Sequence, residues 1–155
     1  MMATPLNIRL FVEVAQEYCG EALPSSMWAL FKQSVKGVMR RELSAQKEVF
    51  TELSKHINKK NLLAVLLSFH REVAYRLERG EAVTSAAMVD LLECLASEFV
   101  KEADAGDVGH RLVDGSTERI MLLHLAVATK EAFFPIRSIQ EFLAAWYVVE
   151  RAEEA

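Results

Sequence analysis

The sequence predicts a mainly α-helical protein with one small β-hairpin near its C-terminus. Three observations predict this. Apolar residues recur at three- and four-residue spacing in stretch after stretch, which is the period of an amphipathic helix. Glycines and polar clusters interrupt the pattern where helices would end. One segment, Leu123 to Ile136, abandons the helical period, is rich in apolar residues, and contains a proline.

Taken in order, Pro5 suits a first helical turn, Ile8, Phe11, Val12 and Ala15 line one face, and Gly20 closes the helix. "GEALPSS" is a loop in which Ser25 or Ser26 caps the next helix. That helix buries Trp28, Phe31, Val35 and Val38 or Met39, and its other face carries Lys32, Lys36 and Arg40. A shorter helix surrounds Val49, Phe50 and Leu53. Leu62, Leu66, Phe69, Val73 and Leu77 form a stripe that stops at Gly80. Thr84 or Ser85 starts a helix with Met88, Leu91, Leu92, Leu95 and Phe99. "EADAGDVGH" reads as a polar break, with a short helix from Ser116 towards His124 after it.

The last elements are the most informative. Leu123 to Thr129 and the run Ala132, Phe133, Phe134 and Ile136 make two strands of a hairpin, with Lys130 and Glu131 near its turn. Pro135 has no N–H and belongs at an unpaired or edge position. Ser138 and Glu141 have capping-box spacing, in which hydroxyl and carboxylate each satisfy a backbone N–H of the opening turn. The helix that follows aligns Ile139, Phe142, Leu143 and Trp146, with Val149 or Glu150 next in the spacing. There is no internal repeat, and the composition shift between Ile57 and Asn61 marks a subdomain boundary.

Composition narrows the classes. The 155 residues are 52% hydrophobic and 26% charged, which is a folded chain with an apolar core. A net charge of −4 opposes a general nucleic-acid or anionic-membrane binder, whose footprint is basic. No apolar run approaches the roughly 18 residues of a membrane span. Met1 to Leu6 lack the basic and apolar regions of a signal peptide. Cys19 and Cys94 then read as reduced, packed thiols of a cytoplasmic protein.

Catalytic and metal motifs are missing. There is no phosphate-binding G-x-x-x-x-G-K-[ST], no G-x-G-x-x-G and no G-x-S-x-G. His56, His70, His110 and His124 are scattered, and the His70-x-Glu72 pair lacks the cysteine motif of a zinc deaminase. Asp104, Asp107 and Asp114 do not have calcium-loop spacing and read as a solvated acidic loop. The Lys32, Lys36, Arg40, Arg41 stripe reads as a solvated helix face, although it has the charge to meet phosphate. No metal site is expected.

"FFPIRSIQEFLAAWYVV" resembles the end of the winged-helix region of NACHT-type NTPases, the signal-transducing STAND class that includes Nod-like receptors and bacterial antiphage sensors. These proteins read Phe-x-His-x-Ser-Phe-Gln-Glu-(Tyr or Phe)-x-Ala-Ala, and here Phe134, Ser138, Gln140, Glu141, Phe142, Ala144 and Ala145 match. The stretch from Thr4 to Glu42 is similar to the family's Asn-Pro-Leu-x-Leu helix, Leu-Pro turn and helix ending in Arg-Arg-Glu. "FHREVAYRLERGEAVTSAAMVDLL" resembles the first two helices of the winged-helix region, with its Leu-Ala-Tyr, Glu-x-Gly turn and Ser-led helix.

The resemblance implies a helical subdomain over residues 1–57 and a winged-helix-like subdomain over residues 58–155. It implies a non-catalytic regulatory module that closes over a nucleotide and relays its state, in bacterial defence among other settings. The P-loop core that binds ATP or ADP lies outside this chain, so the chain itself holds no cofactor and is no enzyme. Its partner is that core, in cis or in trans. Self-association through an apolar patch around Ile8 and Phe11 also follows, whereas membrane and nucleic-acid partners do not.

Pro5 matches the proline that lies against the adenine. Ile136 stands where the family has the histidine that contacts the ADP β-phosphate, and isoleucine cannot donate that hydrogen bond. Two outcomes fit this departure. Either Arg137 takes over the phosphate while Ile136 turns into the core, or Arg137 is an ordinary surface residue and the contact is lost. The other readings are a winged-helix DNA-binding or helical protein-interaction domain, and a small enzyme of unrecognised type.

Overall fold

The computed structural model describes residues 27–45, 48–116 and 118–154. Pro5, the Ile8–Phe11 face, Gly20, Cys19 and the Ser25 or Ser26 cap lie outside the described residues. By internal contacts the chain divides into two compact units, Met1–Ala45 and Gln46–Ala155. The boundary expected near Ile57 falls inside the second unit, in which helix α2 (Glu48–Leu53) packs on another helix.

In the first unit, helix α1 (Met27–Ser44) buries Leu30, Val35, Met39 and Leu43. Trp28 and Phe31, expected in the core, are half-buried, and Lys32 lies over the Trp28 ring at 5.9 Å. The Ser34 hydroxyl is absorbed by its own helix, donating to Leu30 O at 2.8 Å.

The second unit is built on helix α3 (Lys59–Glu78). Asn58 caps it by accepting from the Asn61 N–H at 2.8 Å, and Gly80 ends it at φ +82°, a left-handed conformation that glycine adopts without strain. Its stripe is buried as expected at Leu62, Leu66, Phe69 and Val73, with Leu77 half-buried. Helix α4 (Ser85–Ala96) opens on Thr84, whose hydroxyl accepts from the Ala87 N–H at 3.2 Å. Met88, Leu91 and Leu92 are buried, whereas Phe99 lies past the helix end and is exposed, and Cys94, expected to be packed, is exposed as well.

The segment read as a polar break is instead helix α5 (Glu102–Asp114). Its buried face is Ala105, Val108, Gly109, Leu112 and Val113, a full helical stripe in which only Leu112 is large. Glu102 and Asp104 sit in its first turn, where negative charge meets the positive end of the helix dipole. Asp104, Asp107 and Asp114 are therefore helical residues and not members of an acidic loop.

The helix expected from Ser116 towards His124 is replaced by strand β1 (Arg119–Ile120) and a tight turn at Met121, φ +54°, into strand β2 (Leu123–Leu125). Strand β3 (Ala132–Phe133) completes an antiparallel sheet of order β1-β2-β3, with Ile120 opposite Leu123 and Leu125 opposite Ala132. The β2–β3 loop closes with Ala126 N–H donating to Glu131 O at 2.9 Å, and Lys130 takes the positive φ of +56°. Ala132 N–H donates to Val83 O at 2.9 Å, so the extended link between α3 and α4 flanks the hairpin. In this unit helices α2 to α5 thus precede a small three-stranded antiparallel sheet. Helix α6 (Arg137–Glu154) then packs along α3, and α4 packs on α5. No helix among the described residues is long and apolar enough to cross a membrane.

Candidate functional site

The joint between β3 and α6 gathers most of the residues that the sequence singled out. Ala132 is buried, Phe133 points out against His124, and Phe134 is buried with its ring edge towards His70, centroids 6.3 Å apart. The chain bends at Pro135 and Ile136, since proline restricts Phe134 to extended geometry and supplies no ladder donor. Helix α6 begins at Arg137, and Ile136 O accepts from the Ile139 N–H at 3.2 Å and the Gln140 N–H at 3.3 Å.

This overturns the capping box. Ser138 is the second helical residue and exposed, not the residue that precedes the helix. The Glu141 carboxylate meets Arg137 Nε at 3.4 Å instead of returning to the Ser138 N–H. The S-x-x-E pattern is compatible with any first helical turn, since serine and glutamate are both favoured there, so its register is ambiguous by a residue or two.

The anchor of the joint is Glu78, the last residue of α3. Its two carboxylate oxygens receive Arg137 Nη2 at 3.2 Å and Gln140 Nε2 at 3.3 Å. The sequence reading placed Glu78 in a Glu-x-Gly turn and gave it no contact with α6. A signal was present: a carboxylate at a helix C-terminus opposes the dipole and calls for an outside partner, here the N-terminal turn of α6.

Ile136 does not turn into the core. It is 38% exposed, because the bend at Pro135 carries it to the surface before α6 begins. The Arg137 side chain is 73% exposed beside it. Two neighbouring side chains, one apolar and one cationic, thus project from the corner between wing and helix.

Behind that corner the motif is packing. Ile139, Leu143, Ala144 and Trp146 are buried, and Phe142 is half-buried with its ring 5.7 Å from Trp146. Ala145 and Val149 face outward, so Val149 leaves the stripe. Further along α6, Arg71 of α3 pairs with Glu150 and with the Ser68 hydroxyl at 3.2 Å. Burial pulls the Arg71 guanidinium below its usual range, and Glu150 and Glu154 act against that. Burial, with the Glu72 charge, raises the Tyr147 phenol.

The histidines are structural or exposed. His70 is fully buried, and Glu72 pairs with Arg76 at 2.7 Å, so the H-x-E spacing brings no ligands together. His110 is exposed beside Asp114 at 3.7 Å. His56 and Asp104 share a 3.3 Å hydrogen bond, and with Asp107 they offer one imidazole nitrogen and two carboxylate oxygens within 4.8 Å of one another. Such a set suits a borderline divalent cation in principle, but the His56–Asp104 bond already accounts for two of its three members.

In comparisons with known protein families, with curated proteins and with solved structures, nothing matches this chain. A functional reading therefore rests on the joint and on the residues that build it.

Proposed function

We propose that this chain is the non-catalytic regulatory module of a NACHT/STAND-type signal-transduction NTPase, docking on a P-loop core and relaying whether ATP or ADP is bound. The observation that carries the reading is the corner formed by Ile136 and Arg137. Behind it Phe134, Ile139, Leu143 and Ala144 are buried, Phe142 is half-buried and Ala145 faces outward. The corner itself stands clear of the unit, held by Glu78 and Glu141. A joint built in this way converts rigid-body movement of the unit into movement of two side chains at the place where the resemblance puts the nucleotide phosphates.

Of the two side chains, Arg137 has the chemistry for phosphate. A guanidinium grips phosphate oxygens with parallel donors and is charged at all relevant pH. Its exposed pairs with Glu78 and Glu141 are weak enough to exchange for a phosphate. Catalysis is not part of the reading, since the chain has no backbone cradle, lysine or magnesium-binding hydroxyl for phosphoryl transfer.

The test joins the chain to the P-loop core of a NACHT relative and measures ADP release. Arg137→Ala should speed release while Ile136→Ala leaves it nearly unchanged. An ADP off-rate untouched by Arg137→Ala removes the phosphate role. ATP turnover by the purified chain alone, or a shift of duplex DNA in a mobility assay, would replace the reading with an enzyme or a DNA-binding domain.

A further inference from the structure

His70 occupies an unusual position. It lies on α3 with no exposure to solvent. Both ring nitrogens face backbone carbonyls: Nδ1 is 2.7 Å from Leu66 O on its own helix, and Nε2 is 2.9 Å from Ile120 O on β1. A neutral imidazole carries one N–H and one lone pair. It can donate to one of these carbonyls, and its lone pair then faces the oxygen of the other. Only the imidazolium donates to both, and it would place a full charge in an apolar enclosure.

The enclosure is specific. From α3 the ring meets the Leu66 carbonyl and the edge of Phe69, centroids 5.7 Å apart. From β1 it meets the Ile120 carbonyl, and from the residue after β3 the ring of Phe134. The influences on its proton affinity are burial first and the two carbonyls second, with no side-chain charge from α3, the hairpin or α6 among them. The nearest ionisable ring in the hairpin, His124, is turned to Phe133. A second proton on His70 would therefore find no anion.

We infer that His70 is an acid-sensitive latch between the hairpin and helix α3, closed while the ring is neutral and released when the ring takes up a second proton. The helix side of the enclosure belongs to His70's own element and cannot move away from it. The hairpin side is held by strands of two and three residues. Hydrating a charged ring therefore means lifting β1 and Phe134. Phe134 leads directly to Pro135, Ile136 and the start of α6, so release of the latch moves the corner described above. The latch stands on packing alone and does not depend on the nucleotide reading.

The sign follows from linkage. Burial holds the folded-state affinity of His70 below the ordinary value of 6.5. The neutral ring's contribution is then fully present above that value, and it is lost as pH falls from there towards the folded value.

The experiment compares the wild-type chain with His70→Gln, which cannot titrate but keeps an amide donor for Ile120 O. Backbone hydrogen exchange, corrected for intrinsic rates, is followed from about pH 7.5 to about pH 5. Protection at Ile120, Leu123 and Leu125 should fall about tenfold or more in the wild type and hold in His70→Gln, while the centre of α3 stays protected in both. Equal pH profiles in the two proteins overturn the latch. Should His70→Gln not fold, NMR of the wild-type ring decides: charging of His70 that coincides with loss of the hairpin signals supports the latch. A ring that charges with the hairpin intact, or stays neutral while the hairpin opens, overturns it.

Discussion

The guanidinium of Arg71 lies over the indole of Trp146, its Cζ 4.9 Å from the ring centroid, and Glu150 holds it there from the next turn of α6. The three residues join α3 to α6 near the middle of the unit. Arginine stacks on an aromatic face while its edge remains free for a carboxylate, which lysine cannot do as well. The pairing also completes the packing of the last helix, since Trp146 is its largest buried residue.

Trp146→Ala should destabilise the second unit by roughly 3–5 kcal/mol, the cost of a large buried cavity. Arg71→Ala should lose less. A double-mutant cycle on the pair should return a coupling of about 0.5–2 kcal/mol, the range of a partly desolvated cation–π contact. Denaturant melts of the four proteins measure it; a coupling of zero would mean that the stacking is incidental.

The two glycines of α5 should respond in opposite directions. A Cβ at Gly109 would stand 2.8 Å from the Val89 backbone carbonyl of α4, and backbone cannot step aside. Gly109→Ala should therefore destabilise by about 1–3 kcal/mol despite alanine's better helix propensity. A Cβ at Gly106 meets nothing closer than 3.9 Å, the end of the Glu93 side chain. Gly106→Ala should stabilise by up to about 1 kcal/mol. Thermal melts of the two variants, showing shifts of opposite sign, check the close approach of α4 and α5.

That close approach also explains what the sequence concealed. The stripes of α3 and α4 are large and regular, and Thr84 announces its helix, so both elements were legible. Most of the α5 stripe is alanine, valine and glycine, with Leu112 its one large residue, and Gly109 is present because the neighbouring backbone demands it, not because the helix prefers it. A tertiary requirement thus disguised a helix as a loop. Strand β1 has two residues, too short for an alternation to register, so its partner strand was visible and it was not. At the joint the motif residues were identified, but Glu78 was not, because a hydrogen bond between positions 62 residues apart leaves no local pattern. One of the two outcomes considered for Ile136 turned it into the core; the bend at Pro135 leaves it at the surface.

Cap chemistry offers a direct comparison between Thr84 and Ser138. Thr84→Ala removes the acceptor for the Ala87 N–H and should cost about 1 kcal/mol. Ser138→Ala, one residue inside α6, should stay within about 0.5 kcal/mol. Urea midpoints report both, and a loss at Ser138 as large as that at Thr84 would restore Ser138 to the capping position.

Glu78 should matter more than either of its partners. Its carboxylate closes two hydrogen bonds and faces the positive end of α6, whereas Arg137 is mostly in solvent and retains Glu141 when Glu78 is removed. Arg137→Ala should therefore change stability by at most about 0.5 kcal/mol, as exposed ion pairs do. Glu78→Ala should cost about 1–2 kcal/mol, because Gln140 and the first turn of α6 lose their acceptor together. Glu78→Gln keeps an acceptor oxygen but removes the charge, and should fall between the two. About 1 M salt should shrink the Glu78→Gln effect while leaving most of the Glu78→Ala effect, since screening acts on the charge and not on the hydrogen bond. Amide exchange at Ile139 and Gln140 gives a local readout of the same series. Equal protection in Glu78→Ala and wild type would mean that the wing-to-helix corner is held by the burial of Phe134 and Ile139 alone.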